Sequence, residues 1–145
     1  MHRNLLALVI TVTISAAEPP ASGIDPDTGH RVVRLTQEPG SASLYFNQNG
    51  YTPDGKTMIY TTPNGISALD LRTHATKQVV TGKVRVIVVG HKTPNVYYLK
   101  DGAVCSTDID TGATREIAKL PPRASVATVN ADETLLAGTF VIQWA

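Results

Sequence analysis

Residues 38 positions apart match along this chain, and that offset limits what it can fold into more than any other feature. Tyr60 and Tyr98, Ile66 and Val104, Asp70 and Asp108, Leu71 and Ile109, Thr73 and Thr111, and Thr76 and Thr114 all keep the same offset of 38 without a gap. One such pair means little, but six in a single register mark a duplicated unit. A third copy opens at Asn130-Ala131-Asp132, which parallels Thr52-Pro53-Asp54 at an offset of 78, about twice the first. Self-similarity with a period of roughly 20 to 50 residues is the signature of a repeat architecture.

Within each period the chain consists of short runs of β-branched and aromatic residues. They are broken by the turn dipeptides Asn49-Gly50, Asp54-Gly55, Asn64-Gly65, Asp101-Gly102 and Thr111-Gly112. No stretch has sustained helical spacing. The pattern predicts strands over 31–36, 45–52, 57–62, 65–70, 77–80, 84–90, 95–100, 103–109, 114–118, 125–129 and 135–139. Four short strands per unit is the content of a propeller blade, typically about 40 to 45 residues long, and too long for a leucine-rich turn. The expected fold class is therefore all-β: an incomplete β-propeller of about two four-stranded blades, near 44–82 and 83–121, with the start of a third over 122–145. A four-stranded sheet has two apolar faces and must stack on its neighbours to cover them. Closed propellers use about four to eight blades, so an apolar blade face is expected to stay open and to drive self-association.

Met1 to Ala17 carries His2 and Arg3, then the apolar run Leu5 to Ile14, then small residues at Ser15 and Ala17. This pattern predicts a signal peptide over 1–17, followed by a Pro/Ala/Ser/Gly linker over 18–24 and the partial propeller over 25–145. The apolar run is short of the roughly 20 residues of a membrane-spanning helix. The expected location is periplasmic or secreted, with no membrane partner once the signal is cleaved. Lys and Arg total 13 against 12 Asp and Glu, and Arg3 falls in the segment expected to be removed, so bulk charge recruits neither nucleic acid nor anionic lipid. The single cysteine, Cys105, has no intrachain partner and reads as a strand residue.

Three segments resemble the N-terminal part of oligogalacturonate lyases: Asp27-Thr28-Gly29-His30-Arg31-Val32-Val33-Arg34-Leu35-Thr36, Ser43-Leu44-Tyr45-Phe46-Asn47-Gln48-Asn49, and Tyr51-Thr52-Pro53-Asp54-Gly55-Lys56. The resemblance runs over roughly residues 25–140. It implies a seven-bladed propeller that cleaves short or unsaturated galacturonate oligomers from pectin by metal-assisted β-elimination. It also implies manganese as the divalent metal of the full-length family, and oligogalacturonate as partner if the propeller is completed. The histidine base and the His/Gln metal cluster of that family belong to later blades. The resemblance therefore assigns this chain no catalytic residue, no metal ligand and no cofactor. The Pro-Asp-Gly turn also recurs in TolB-like and WD40-like propellers, so a non-enzymatic binding scaffold is the competing expectation.

An elimination beside a uronate carboxylate needs a base at the α-proton and positive charge to stabilise the enolate-like anion that develops. The histidines His2, His30, His74 and His91 share no spacing that would form a local metal cluster. His74 stands where Gly29 and Gly112 stand in the matching turns, which predicts a left-handed turn position. His91 follows Gly90 and reads as a turn residue. Asp25-Pro26-Asp27-Thr28-Gly29 and Asp108-Ile109-Asp110-Thr111-Gly112 lack the further oxygen ligands of a calcium loop, and an Asx-type turn explains them. Tyr45, Asn47 and Asn49 alternate along a predicted strand and are the candidate substrate-binding residues. On the alternative reading, Tyr45 packs between blades and the asparagines satisfy backbone groups. Arg31, Arg34, Lys56 and Lys83 are scattered bases, fit either to pair with uronate carboxylates or to form a solvated surface. No phosphate loop, nucleophile elbow or Cys-x-x-Cys pair occurs.

Overall fold

The structure, a computed structural model, describes residues 21–142; the expected signal segment and the first linker residues lie outside them. The chain divides into two compact units, the first ending at Arg34 and the second beginning at Leu35. In the first, β1 (Ser22–Ile24) pairs antiparallel with β2 (Arg31–Val33). Ser22–Ile24 was expected in the linker and is a strand instead, because the Asp25–His30 turn folds it back onto β2. In that turn the Asp25 carboxylate accepts the Asp27 N–H at 3.1 Å, the Thr28 N–H at 2.8 Å and the Thr28 hydroxyl at 2.8 Å.

The second unit is the stacked array that the repeat predicts. One sheet has the order β3 (Ala42–Ser43), β4 (Thr57–Thr62), β5 (Gly65–Asp70), β6 (Thr76–Thr81), all antiparallel. The next has the order β7 (Arg85–Val89), β8 (Asn95–Lys100), β9 (Ala103–Asp108), β10 (Thr114–Lys119), and β11 (Ala124–Val129) with β12 (Leu136–Phe140) begins a third. The bounds of β4, β5 and β6 map onto those of β8, β9 and β10 at the offset of 38. Tyr60 and Tyr98 hold the same place in β4 and β8 and are each about 1% exposed.

Stacking explains the sequence of the middle blade. Ile59, Ile66, Ala68 and Val80 of the first blade bury against Val86, Val89, Val96, Tyr98 and Ile109 of the second. The opposite face of the second blade, with Ile87, Val88, Tyr97 and Val104, buries against Val126 and Val129 of the third. A sheet covered on both faces has no polar side, so Val86-Ile87-Val88-Val89 is apolar throughout instead of alternating. Each of these aliphatic side chains contributes roughly 1.5–3 kcal/mol by leaving water.

The turns repeat as closely as the strands. Asp70 Oδ1 accepts the N–H of Arg72 at 2.9 Å and of Thr73 at 2.7 Å, and Asp108 Oδ1 accepts those of Asp110 at 3.0 Å and Thr111 at 2.7 Å. His74, with φ of 60°, occupies the left-handed position that Gly29 (71°) and Gly112 (75°) fill in the sister turns. This agrees with the left-handed position expected for His74 and with the Asx turns expected at Asp25 and Asp108; the Asx turn at Asp70 repeats them.

A carboxylate joins the second and third blades. Glu133 Oε1 accepts the N–H of Lys92 at 2.7 Å and of Thr93 at 2.9 Å. Its Oε2 accepts the Thr93 hydroxyl and, at 2.9 Å, the Tyr97 hydroxyl. Burial by itself would raise this carboxyl, but the Thr93 hydroxyl, the two backbone N–H groups and Tyr97 outweigh it and hold the pKa below 4.5. Tyr97 is pushed up in turn, first by burial and then by Glu133. Gly90 is what lets Glu133 in: a Cβ there would stand 2.5 Å from Glu133 Oε1.

Candidate functional site

The first strand of every blade is irregular at the same place. In the second blade Val86 pairs with Tyr98 and Val88 with Tyr97, leaving Ile87 as a one-residue bulge; in the third, Val126 pairs with Gly138 and Thr128 with Ala137. In the first blade Ser43 pairs with Tyr60, and the ladder resumes only at the Tyr51–Met58 bridge. Residues 44–50 therefore leave the sheet where the other blades bulge by one residue. Bulges re-aim side chains and concentrate near binding sites.

This overturns the predicted strand over 45–52. The Gln48 N–H donates to the Tyr45 carbonyl at 2.8 Å, closing a turn, so Tyr45, Asn47 and Asn49 do not alternate along one strand face. Asn49 is committed to the scaffold: its Nδ2 donates to the carbonyls of Tyr51 at 3.0 Å and Val89 at 3.1 Å, and its Oδ1 accepts the Tyr51 N–H at 3.2 Å. The Val89 N–H donates back to the Asn49 carbonyl at 2.8 Å. Gln48 does similar work, its Nε2 donating to Val86 O at 3.2 Å and Ile87 O at 2.9 Å. These two amides tie the excursion to β7, and the sequence reading passed over Gln48.

Tyr45 and Asn47 are left facing solvent. Tyr45 is 65% exposed and Phe46 87%, with ring centroids 4.5 Å apart and planes inclined by 46°. Phe46 was not among the expected site residues; an exposed aromatic pair on a loop is the signal that points to it. Tyr45, Gln48, Tyr51 and Met58 border an open cleft of about 660 Å³. A second cleft, of about 460 Å³, shares Leu44, Tyr45 and Gln48 with the first and reaches Val84 and Arg85. A third, of about 590 Å³, shares Val84 and Arg85 and runs on to Arg123 and Ala124. The three adjoin along the start of successive first strands, and β7 and β11 run side by side there.

His30, His74 and His91 sit on three separate turns, and neither His74 nor His91 of the second unit lines these clefts. Half-buried Cys105 is a free thiol in β9, pushed up by burial and then by Glu116, so it is not an activated nucleophile.

No protein-family profile matches the chain, and no curated protein matches it significantly. Among solved structures it matches an oligogalacturonate lyase in complex with manganese, with a TM-score of 0.68 and 27% identity, over 81% of this chain and 34% of that one. It matches the oligogalacturonate lyase of Vibrio parahaemolyticus with a TM-score of 0.68 and 25% identity, over the same shares. The chain is oligogalacturonate-lyase-like. It spans about a third of the length of these lyases, and over that span it shares their fold.

The manganese of the solved lyase finds no ligand set in the described part of this lyase-like chain. Among the described residues no group of three or more His, Cys, Asp and Glu side chains comes together. Asp25, Asp70 and Asp108 spend their carboxylates on their own turns, and Glu133 spends its own on the joint between blades. These residues do not fit a divalent ion.

Proposed function

We propose that this chain forms part of an exported oligogalacturonate-lyase-like propeller that acts on galacturonate oligomers released from pectin, and that the polypeptide of 145 residues does not itself carry out the elimination. The observation that carries the reading is the combined fold and sequence likeness to solved lyases over 81% of the chain. Tyr45, whose side chain lines two of the clefts, supplies a ring for contact with a sugar acid, and Asn47, exposed on the same loop, supplies an amide. The base and the metal ligands are assigned to residues outside 21–142, since His74 and His91 do not line the clefts and no three His, Cys, Asp or Glu side chains gather among the described residues. Open apolar surface at Tyr51, Leu135, Phe140 and Ile142, each at least 49% exposed, supports self-association through uncovered blade faces. Export rests on the pattern of residues 1–17.

A chimera tests the reading. Residues 35–142 replace the matching blades of the manganese-bound lyase, and the product is assayed on digalacturonate for the unsaturated uronate that absorbs near ~230 nm after elimination. A folded, active chimera is expected, as is no signal from the present chain with added manganese. A chimera that fails to form a monomeric propeller refutes the assignment, and activity from the chain alone refutes the second half of the proposal. Mass spectrometry of the exported chain should find Glu18 at its N-terminus.

A further inference from the structure

The cleft of about 590 Å³ at the start of the third blade gathers four cationic side chains, Lys83, Arg85, Lys100 and Arg123, against one acid, Asp101. In a chain whose cations and anions nearly balance, that is a local excess of one sign. None of the four cations pairs with a carboxylate among the described residues, whereas Lys56 pairs with Asp54 and Lys92 with Asp132 elsewhere. Two of them are anchored at one point. Arg85 Nη2 donates to Ser125 Oγ at 2.6 Å and Val126 O at 2.8 Å, and Lys100 Nζ donates to Thr81 O at 3.3 Å, leaving their other N–H groups free. Among the described residues the Lys83 and Arg123 side chains make no hydrogen bond or ion pair, while the Arg123 carbonyl accepts the Val141 N–H at 3.3 Å.

The rest of the lining is apolar and stiff. Val84, Leu99 and Leu120 are half-buried in it, and Pro121-Pro122 fixes the backbone ahead of Arg123, itself held at φ of 69°. Such positions cost free energy in a non-glycine residue and gather at ligand sites. Apolar flats between convergent cations suit a ligand that alternates C–H faces with carboxylates.

We propose that this cleft binds an oligomeric carboxylate, an acidic pyranoside of two or more units, with Lys83 and Arg123 holding neighbouring carboxylates and Arg85 the end nearest Tyr45. The anionic class follows from the cleft itself; the choice of uronate as the sugar rests on the function proposed above. The inference gives Lys83 a role that its place in the sequence left undecided. It also adds Lys100 and Arg123, which only folding brings beside it.

The test is calorimetric titration of the full chain with trigalacturonate, its methyl ester and inorganic sulfate. Trigalacturonate is expected to bind, the ester at least about tenfold more weakly, and affinity to fall as salt shortens the screening length below ~10 Å. Arg123→Gly removes a cation while relieving the left-handed backbone, and Lys83→Gln is a surface change, so both variants fold. Each is expected to weaken binding roughly three- to tenfold. Equal affinity for the ester, sulfate binding as tight as the oligomer, or unchanged affinity in both variants overturns the inference. Binding through these residues with an inactive chimera keeps the cleft and removes the lyase reading; an active chimera with unaltered affinity in the variants does the reverse.

Discussion

Glu133 and Asp132 are adjacent acids at the joint between the second and third blades, and truncating each separates a structural carboxylate from a surface one. Glu133→Ala removes the acceptor for two backbone N–H groups and two hydroxyls, three of these bonds lying between 2.7 and 2.9 Å. A hydrogen bond to a charged group is worth about 1.5–3 kcal/mol, but water reaches part of this site and the bonds are not additive, so a loss of about 2–4 kcal/mol is expected. Asp132→Ala breaks only the Lys92 ion pair, whose side chains are 61% and 64% exposed. That pair is worth less than about 0.5 kcal/mol. Alanine inherits the left-handed backbone of Glu133, φ of 59°, so strain nearly cancels in the comparison. Urea unfolding followed by circular dichroism reads both variants, and with a slope of about 1–3 kcal/mol per molar the Glu133→Ala midpoint should fall by about 1 M or more. The pH dependence supplies a second check. The folded pKa of Glu133 is depressed below 4.5, so its stabilisation is complete above that value and drains away as pH falls through the folded pKa. The gap between wild type and Glu133→Ala should therefore narrow in acid. Equal midpoints for the two variants, or a gap that widens below pH 4.5, would refute the latch.

Three further outcomes follow from the geometry. His74→Gly should hold or raise thermal stability, by about 0.5 kcal/mol, because relief of the left-handed backbone outweighs the extra freedom of the unfolded chain; a clear fall in Tm contradicts it. Gly138→Ala should open the β11–β12 hairpin to hydrogen exchange at a cost of at least about 2 kcal/mol, since its Cβ would lie 1.9 Å from the Ser125 carbonyl oxygen; unchanged protection would argue against this register. The Asp54 carboxyl, drawn from 3.8 to about 2 chiefly by the Thr52 hydroxyl, should titrate higher by NMR in Thr52→Val but stay below 3.8, because the Lys56 N–H and ammonium still hold it down. Its contribution to stability is held above pH 3.8 and lost as the pH drops toward 2, so acid unfolding should move with it.

What the sequence shows plainly is whatever recurs. The offset of 38 marks β4, β5 and β6 against β8, β9 and β10, and the Asp-x-x-Thr turns can be read because an Asx turn is made entirely from residues within five positions. Two pieces were misread where a local pattern met a nonlocal cause. Residues 45–52 carry strand composition, yet Gln48 and Asn49 pair with the backbone of the next blade, and those bonds hold 44–50 out of their own sheet. Ser22–Ile24 looks like linker because Pro and Gly surround it, and only its register against Arg31–Val33 makes it a strand. The cationic cleft was illegible for the same reason: Lys83, Lys100 and Arg123 are far apart in the chain and meet only when a blade begins beside its neighbour's hairpin.

In a protein built of copies, the shared positions are fixed by what every copy must do, which is to pair strands, turn and cover a neighbour. Departures from the copy need not serve those duties: Gln48, Asn49 and Glu133 still tie blades together, and the Tyr45 side chain does not. Tyr60 and Tyr98 agree, as do Asp70 and Asp108, and each pair is explained by packing or by a turn. Tyr45, Arg85 and Ser125 stand near the start of three successive first strands and differ in chemistry, and the clefts open beside them. The excursion over 44–50 is the largest departure, and the left-handed Arg123 lies two residues before Ser125. Selection for packing alone would leave a one-residue bulge and a glycine at these places. The exposed aromatic pair at one and the guanidinium without a side-chain partner at the other serve no contact among the described residues, and a chain of sugar acids lying across the starts of the blades would meet both.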